Sequence, residues 1–169
     1  MLALWDPGQF SNVVDYTTWE PELCEAEDIE RHIRAGSLVP INIQYDGCWG
    51  VVIRVGSASE PAQLTARETT YRLISSHPYL FRSTGRLCLS GIEAVSGEPW
   101  PNTLEVELPE RHYQVVIHLI AWEDEPGSTN KDGTASETAL PDFVALINPS
   151  TANRDDFRSA IVTFDRPGT

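Results

Sequence analysis

The strongest hydrophobic pattern in the chain runs from Leu104 to Trp122, LEVELPERHYQVVIHLIAW. Leu104, Val106 and Leu108 alternate with Glu105 and Glu107, the period-2 signature of a half-buried strand. Pro109-Glu110-Arg111 then interrupts the alternation, and proline cannot donate to a strand ladder. Beyond it, Tyr113, Val115, Ile117, Leu119 and Ala121 oppose Val116, Ile120 and Trp122, so both faces are apolar. A β-branched run of this kind suits a strand in the middle of a packed sheet. The pattern predicts two strands hinged at 109–111, the central hairpin of a mainly β domain.

Other elements are weaker. Residues 1–20 carry Trp5, Phe10, Tyr16 and Trp19 among polar neighbours, too much aromatic surface to dangle, and read as an edge strand or strap. Residues 22–35 read as the one helix, with Leu23, Ala26, Ile29 and Ile33 on one stripe. Pro21 precedes it, Gly36 follows it, and acids early with Arg31, His32 and Arg34 late complement the helix dipole.

From 38 onward the pattern is β. Val39, Ile41 and Ile43 face Val51 and Ile53 across Tyr45-Asp46-Gly47-Cys48, which predicts a hairpin with a three-residue connection or a bulge beside Gly47. Further strands are predicted at 68–76, at 79–81, at 86–95 after a loop at Arg82-Ser83-Thr84-Gly85, at 142–148 and at 159–165. The sum is a single domain, 1–169: an antiparallel β-sandwich of about eight strands over 38–165, with one short N-terminal α-helix.

Composition adds charge. The 169 residues carry 25 acidic and 12 basic side chains, a net charge of −13. Such a field repels nucleic acid and anionic membranes and favours basic protein partners. Cys24, Cys48 and Cys88 have no CxxC spacing and suit a reducing compartment. The opening MLALWDPGQF does not read as a signal peptide, and no apolar run reaches the roughly 20 residues of a membrane span. The expected location is the cytoplasm.

Chemistry-bearing motifs are scarce. Ser128 to Gly133 imitates part of an EF-hand loop, but serine stands first and Ala139 twelfth where chelating carboxylates belong. The four histidines are scattered, there is no GxSxG, and Cys48 has no adjacent histidine to activate it. No catalytic residue, metal ligand or cofactor is predicted. The candidate binding site is the acidic, aperiodic stretch 123–141, with Trp122, Glu123, Asp124, Glu125 and Asp132 as its contact residues. It is expected to be exposed and more mobile than its flanks. Trp49 and Trp100, also near strand ends or turns, are either core residues or platforms.

The stretch LEVELPERHYQVVIHLIAWEDEPG resembles a hairpin of bacterial β-sandwich proteins similar to competence protein J, a nuclease inhibitor, and of uncharacterised bacterial relatives. GSLVPINIQYDGCWGVVIR through ALPDFVALINP resembles the latter. The resemblance implies a non-enzymatic binding protein, of inhibitor or immunity type, and carries over no functional residue. The alternative is a small-ligand module, binding carbohydrate or calcium at a sandwich end through Trp122 and the 123–141 loop.

Overall fold

The computed structural model describes residues 1–44 and 47–164. The chain is mainly β, as the alternation predicts, but its named strands join in one mixed sheet of seven instead of two stacked antiparallel sheets. They are β1 (Leu2–Trp5), β2 (Leu38–Ile41), β3 (Val51–Val55), β4 (Arg72–Ser75), β5 (Tyr79–Gly91), β6 (Leu104–Ile120) and β7 (Phe143–Pro149). Their order is β2-β1-β5-β6-β7-β3, with β4 extending the line of β5 along β6. All pairings are antiparallel except β3 with β7. Among the described residues no helix is long and apolar enough to cross a membrane.

The predicted central hairpin is a single 17-residue strand, β6. Pro109 is absorbed by a bulge. Ser83 pairs with Arg111 and Gly85 with Leu108, so Pro109 and Glu110 together face only Thr84. The ladder is already broken there, which removes the penalty for a missing N–H. Ser83 Oγ holds the bulge by donating to the Leu108 carbonyl at 2.7 Å, and Gly85 at φ +127° takes a backbone that side chains rarely adopt. The same bulge keeps 82–85 inside β5, where a hairpin loop was expected. Apolarity on both faces of 113–120 keeps its meaning, because β5 and β4 pair with one edge of β6 and β7 with the other.

Tyr113, Val115, Ile117 and Leu119 face the main core with Leu4, Trp5, Phe81 and Phe143. Ile120, Val144 and Leu146 face the other way, under Ala62, Leu64, Tyr71, Trp122 and Leu140. Among the described residues there are three α-helices, α1 (Tyr16–Leu23) and α2 (Ala26–Ala35), which pack on the main core, and α3 (Ala66–Thr70) beside the smaller one. The single predicted helix at 22–35 is therefore two. Asp15 starts α1 six residues before Pro21, accepting from the Thr18 N–H at 2.9 Å in a capping box. Extended Glu25 (φ −95°, ψ 149°) then breaks the path before α2. The break turns Leu23, Ile29 and Ile33 into one cluster, and Glu22 reaches back across it to Arg31 (3.1 Å) and His32 (2.9 Å).

Three more expectations are corrected by pairing. Leu2–Trp5 lies between β2 and β5, inside the sheet, where residues 1–20 were expected at an edge. β2 and β3 do not pair with each other; they stand at opposite ends of the sheet order, so they form no hairpin. Tyr45 and Asp46 of the expected connection lie outside the described residues. Third, Glu68–Thr70 are helical, because Thr65-Ala-Arg-Glu68 is a capping box with both of its bonds formed. Residues 159–164 form no strand and touch the body through bridges such as Asn42 with Thr163; Asp165 lies outside the described residues.

Candidate functional site: an aromatic groove with an acidic rim

Two segments far apart in sequence form the walls of a groove of about 790 Å³. One wall is 11–19, where the chain leaves Phe10 and enters α1 through the Asp15 cap. The other is 93–100, which follows β5 through a short helical turn at Ile92–Ala94. Val13 and Val95, each about 1% exposed, belong to the main core and anchor the two walls to it. Gly97 donates its N–H to the Val13 carbonyl at 2.9 Å, and the Trp19 indole donates to the Ile92 carbonyl at 3.0 Å. A Cβ at Gly97 would meet Ser11 Cα at 2.8 Å and Phe10 O at 3.0 Å, so only glycine allows the walls to approach this closely.

The groove presents aromatic faces to water. Tyr16 is 67% and Trp100 55% exposed, and Tyr16 stacks on half-buried Trp19 with centroids 6.0 Å apart and planes at 21°. Val14, 74% exposed, adds apolar area beside them. Contiguous exposed rings on a water-facing surface mark a recognition site more often than a single stray side chain does. The charged residues of the lining are Asp15, Glu93 and Glu98, with no lysine, arginine or histidine among them. Asp15 is held below the usual carboxylate range, first by the Thr18 N–H and then by the Thr18 hydroxyl, and is ionised at neutral pH. The Tyr16 hydroxyl donates to Glu20 at 3.0 Å, and that carboxylate raises the phenol's pKa. Aromatic quadrupoles and carboxylates together favour a cation.

The 123–141 stretch is built differently. Its residues are mostly exposed, as expected, but several of their polar groups are bonded within the protein. Trp122 is half-buried against Ile120 and Leu146, and its indole donates to Asp142 at 2.8 Å. Glu123 and Asp124 stand on a helical turn, exposed. Glu125 accepts two bonds from Arg67, at 2.5 and 2.6 Å, and that guanidinium holds its carboxyl below the ordinary range. Arg67 also donates to the Thr138 carbonyl at 2.6 Å. Asp132 accepts from the Thr134 hydroxyl at 2.7 Å and from its N–H at 3.1 Å within its own turn. Among the described residues no three His, Cys, Asp or Glu side chains come together as a metal set.

Of the other tryptophans, Trp49 is half-buried, edge-on to Phe143 at 5.9 Å, whereas Trp100 is the exposed one. The pair nearest to catalytic chemistry is Ser75 and His118, with Oγ and Nδ1 2.8 Å apart. Burial lowers the His118 pKa, Arg72 lowers it further, and buried Nε2 has no partner among the described residues. A general base needs a third group to orient it, and this imidazole lacks one. No family model, curated protein or solved structure matches the chain.

Proposed function

We propose that this chain is a non-catalytic, acidic binding protein that docks a basic protein partner in the cytoplasm, as an inhibitor or immunity-type protein, and that the groove between 11–19 and 93–100 receives a cationic side chain of that partner. The observation that carries this reading is the lining: exposed Tyr16 and Trp100 beside Asp15, Glu93 and Glu98, with no basic residue. A guanidinium stacked on a ring gains about 0.5–2 kcal/mol, and a partly desolvated carboxylate pair adds to it. The net charge of −13 adds steering, which raises association rates at low salt. The resemblance of 104–127 to inhibitor-like bacterial proteins points the same way.

An Arg-rich peptide, followed by tryptophan fluorescence, tests the groove. Saturable binding at 50 mM NaCl, weakened at least tenfold by Trp100→Ala and by Glu93→Gln/Glu98→Gln, is the expected result. Equal binding by all variants refutes the groove as the site. A second reading rests on the same exposed rings, since sugars also stack on them. A neutral oligosaccharide that binds through Trp100 with no salt dependence would favour the small-ligand reading. Calcium that leaves the melting temperature unchanged would remove that part of it.

A further inference from the structure

On the far side of the Phe10 segment from the groove, Gln9 lines a second cavity of about 360 Å³ with Arg82, Thr84, Glu110, Arg111 and His112. Its character is opposite to that of the chain. Arg31, Arg34, Arg54, Arg67 and Arg86 all hold carboxylates, as a twofold excess of acids over bases favours. Arg82 and Arg111, like Arg72, Arg154 and Arg158, form no ion pair with a described residue, and these two border the same cavity. From this convergence of Arg82, Arg111 and His112 we infer a second binding site, for the phosphate group of a small molecule.

The bulge in β6 is what builds it. Arg82 pairs with His112 and Ser83 with Arg111, so simple alternation sends Arg111 to the face opposite Arg82 and His112. Pro109 and Glu110 opposite Thr84 put one extra residue into β6 beside Arg111, which disturbs that alternation, and Arg82, Arg111 and His112 all line the same cavity. Bulges commonly re-aim a side chain in this way. The remaining polar groups are already committed. Asp6, fully buried, accepts from Gly8 N–H at 2.8 Å, from the Thr84 hydroxyl at 2.7 Å and from the Thr84 N–H. The Gln9 amide donates to the Arg82 carbonyl at 2.5 Å. The unspent donors are therefore the two guanidinium groups and the imidazole, a set that matches three phosphate oxygens. Glu110 is the one carboxylate in the lining, and the two guanidinium groups outnumber it. The acids elsewhere on the chain act weakly here at physiological salt, where charges beyond about 8 Å are screened. The cavity has the size of a small-molecule site.

The test uses the intact protein and inorganic phosphate at 150 mM NaCl, followed by calorimetry and by phosphorus NMR linewidth. Saturable binding is expected, lost at least tenfold in Arg82→Gln/Arg111→Gln and retained in Arg86→Gln, an arginine outside the cavity. Urea midpoints establish that each variant is folded. Should the double variant unfold, Arg82→Lys replaces it, and loss of the bidentate fork should weaken binding several-fold. Absence of saturable phosphate binding, undiminished binding in the folded variants, or displacement by acetate as strong as by phosphate would each overturn the assignment. The Arg-rich peptide should bind the Arg82→Gln/Arg111→Gln protein unchanged, which separates this site from the groove.

Discussion

Breaking the Arg54–Glu68 pair by removing the Glu68 carboxylate should cost substantial stability. Glu68 is 2% exposed at its side chain and accepts from Arg54 Nη1 (2.8 Å), Arg54 Nη2 (2.6 Å) and the Thr65 N–H (2.8 Å). Arg54 comes from edge strand β3 and Glu68 from α3, so the pair fastens the cover of the smaller core to the sheet. Breaking a fully buried pair by deleting one partner costs about 3–5 kcal/mol, because the other charge is left unpaired. In Glu68→Ala the orphaned Arg54 is 30% exposed and can recruit water, which puts the loss near the low end, about 3 kcal/mol. In Arg54→Ala the orphan is the far more buried carboxylate, so the loss should be at least as large. Arg54→Met/Glu68→Leu leaves no unpaired charge and should cost less than either single change.

Urea denaturation at pH 7 reads this directly. With a slope of about 2 kcal/mol per molar, a loss of about 3 kcal/mol moves the midpoint down by roughly 1.5 M with the slope unchanged. A Glu68→Ala loss under about 1 kcal/mol, or a double variant costing the sum of the singles, would falsify the account. The pH dependence is a second reading of the same pair. Burial pushes the Glu68 carboxyl up, but Arg54 and the Thr65 N–H outweigh it and hold the pKa below its ordinary value. Its contribution is therefore full above the unfolded pKa, about 4.3, and is lost as pH falls through the lower folded value.

Other outcomes follow from single sites. Gly36 caps α2 at φ +77°, and a Cβ there would meet Leu80 Cγ at 2.9 Å and Arg82 Cγ at 3.0 Å; Gly36→Ala should lower stability by about 1–2 kcal/mol in the same urea assay. His118 has its pKa lowered by burial and by Arg72, so stability should fall as pH drops from about 6.5 toward the folded value, and His118→Gln should flatten that part of the curve. Replacing 127–137 with a short Gly/Ser linker should leave the urea midpoint within about 1 kcal/mol of the parent, because Trp122, Glu125 and Thr138, which tie the stretch to the body, all lie outside it. The same replacement should leave binding of the Arg-rich peptide unchanged, and a loss of that binding would return the site to the loop.

Strand existence was legible where apolar, β-branched runs were long, as in 113–120 and 143–148, because side chains of that kind fit a strand buried on both faces. Pairing was not legible. Val39 and Ile41 match Val51 and Ile53 in pattern, yet β2 finds β1 and β3 finds β7 in parallel, and only the tertiary fold decides that. Pro109 misled for a related reason: it reads as a turn in isolation and as a bulge once Thr84 is opposite it. Two errors were avoidable locally. Asp15-x-x-Thr18 and Thr65-x-x-Glu68 are both capping patterns, and each opens a helix where a strap or strand was expected.

The site was legible only in halves. The aromatic excess of 1–20 and the SGEPWPN turn around Trp100 are both visible in the sequence, but their joining depends on the topology. β1 and β5 pair antiparallel, so the chain leaves them at opposite ends of their ladder and has to double back after β1 before Val13 meets Gly97, where the missing side chain lets the two segments touch. A binding surface has to be held before the ligand arrives, since ordering a free side chain on binding costs about 0.5–1.5 kcal/mol. The groove meets that condition: its walls are fixed to the core at Val13 and Val95, while Tyr16 and Trp100 stay open to water. The 123–141 stretch meets the reverse one. Trp122, Glu125 and Asp132 are held too, but by bonds within the protein that a partner would have to break. Acidic residues and an unusual loop length marked that stretch in the sequence, whereas exposed rings beside carboxylates, with no basic residue in the lining, mark the groove in the fold.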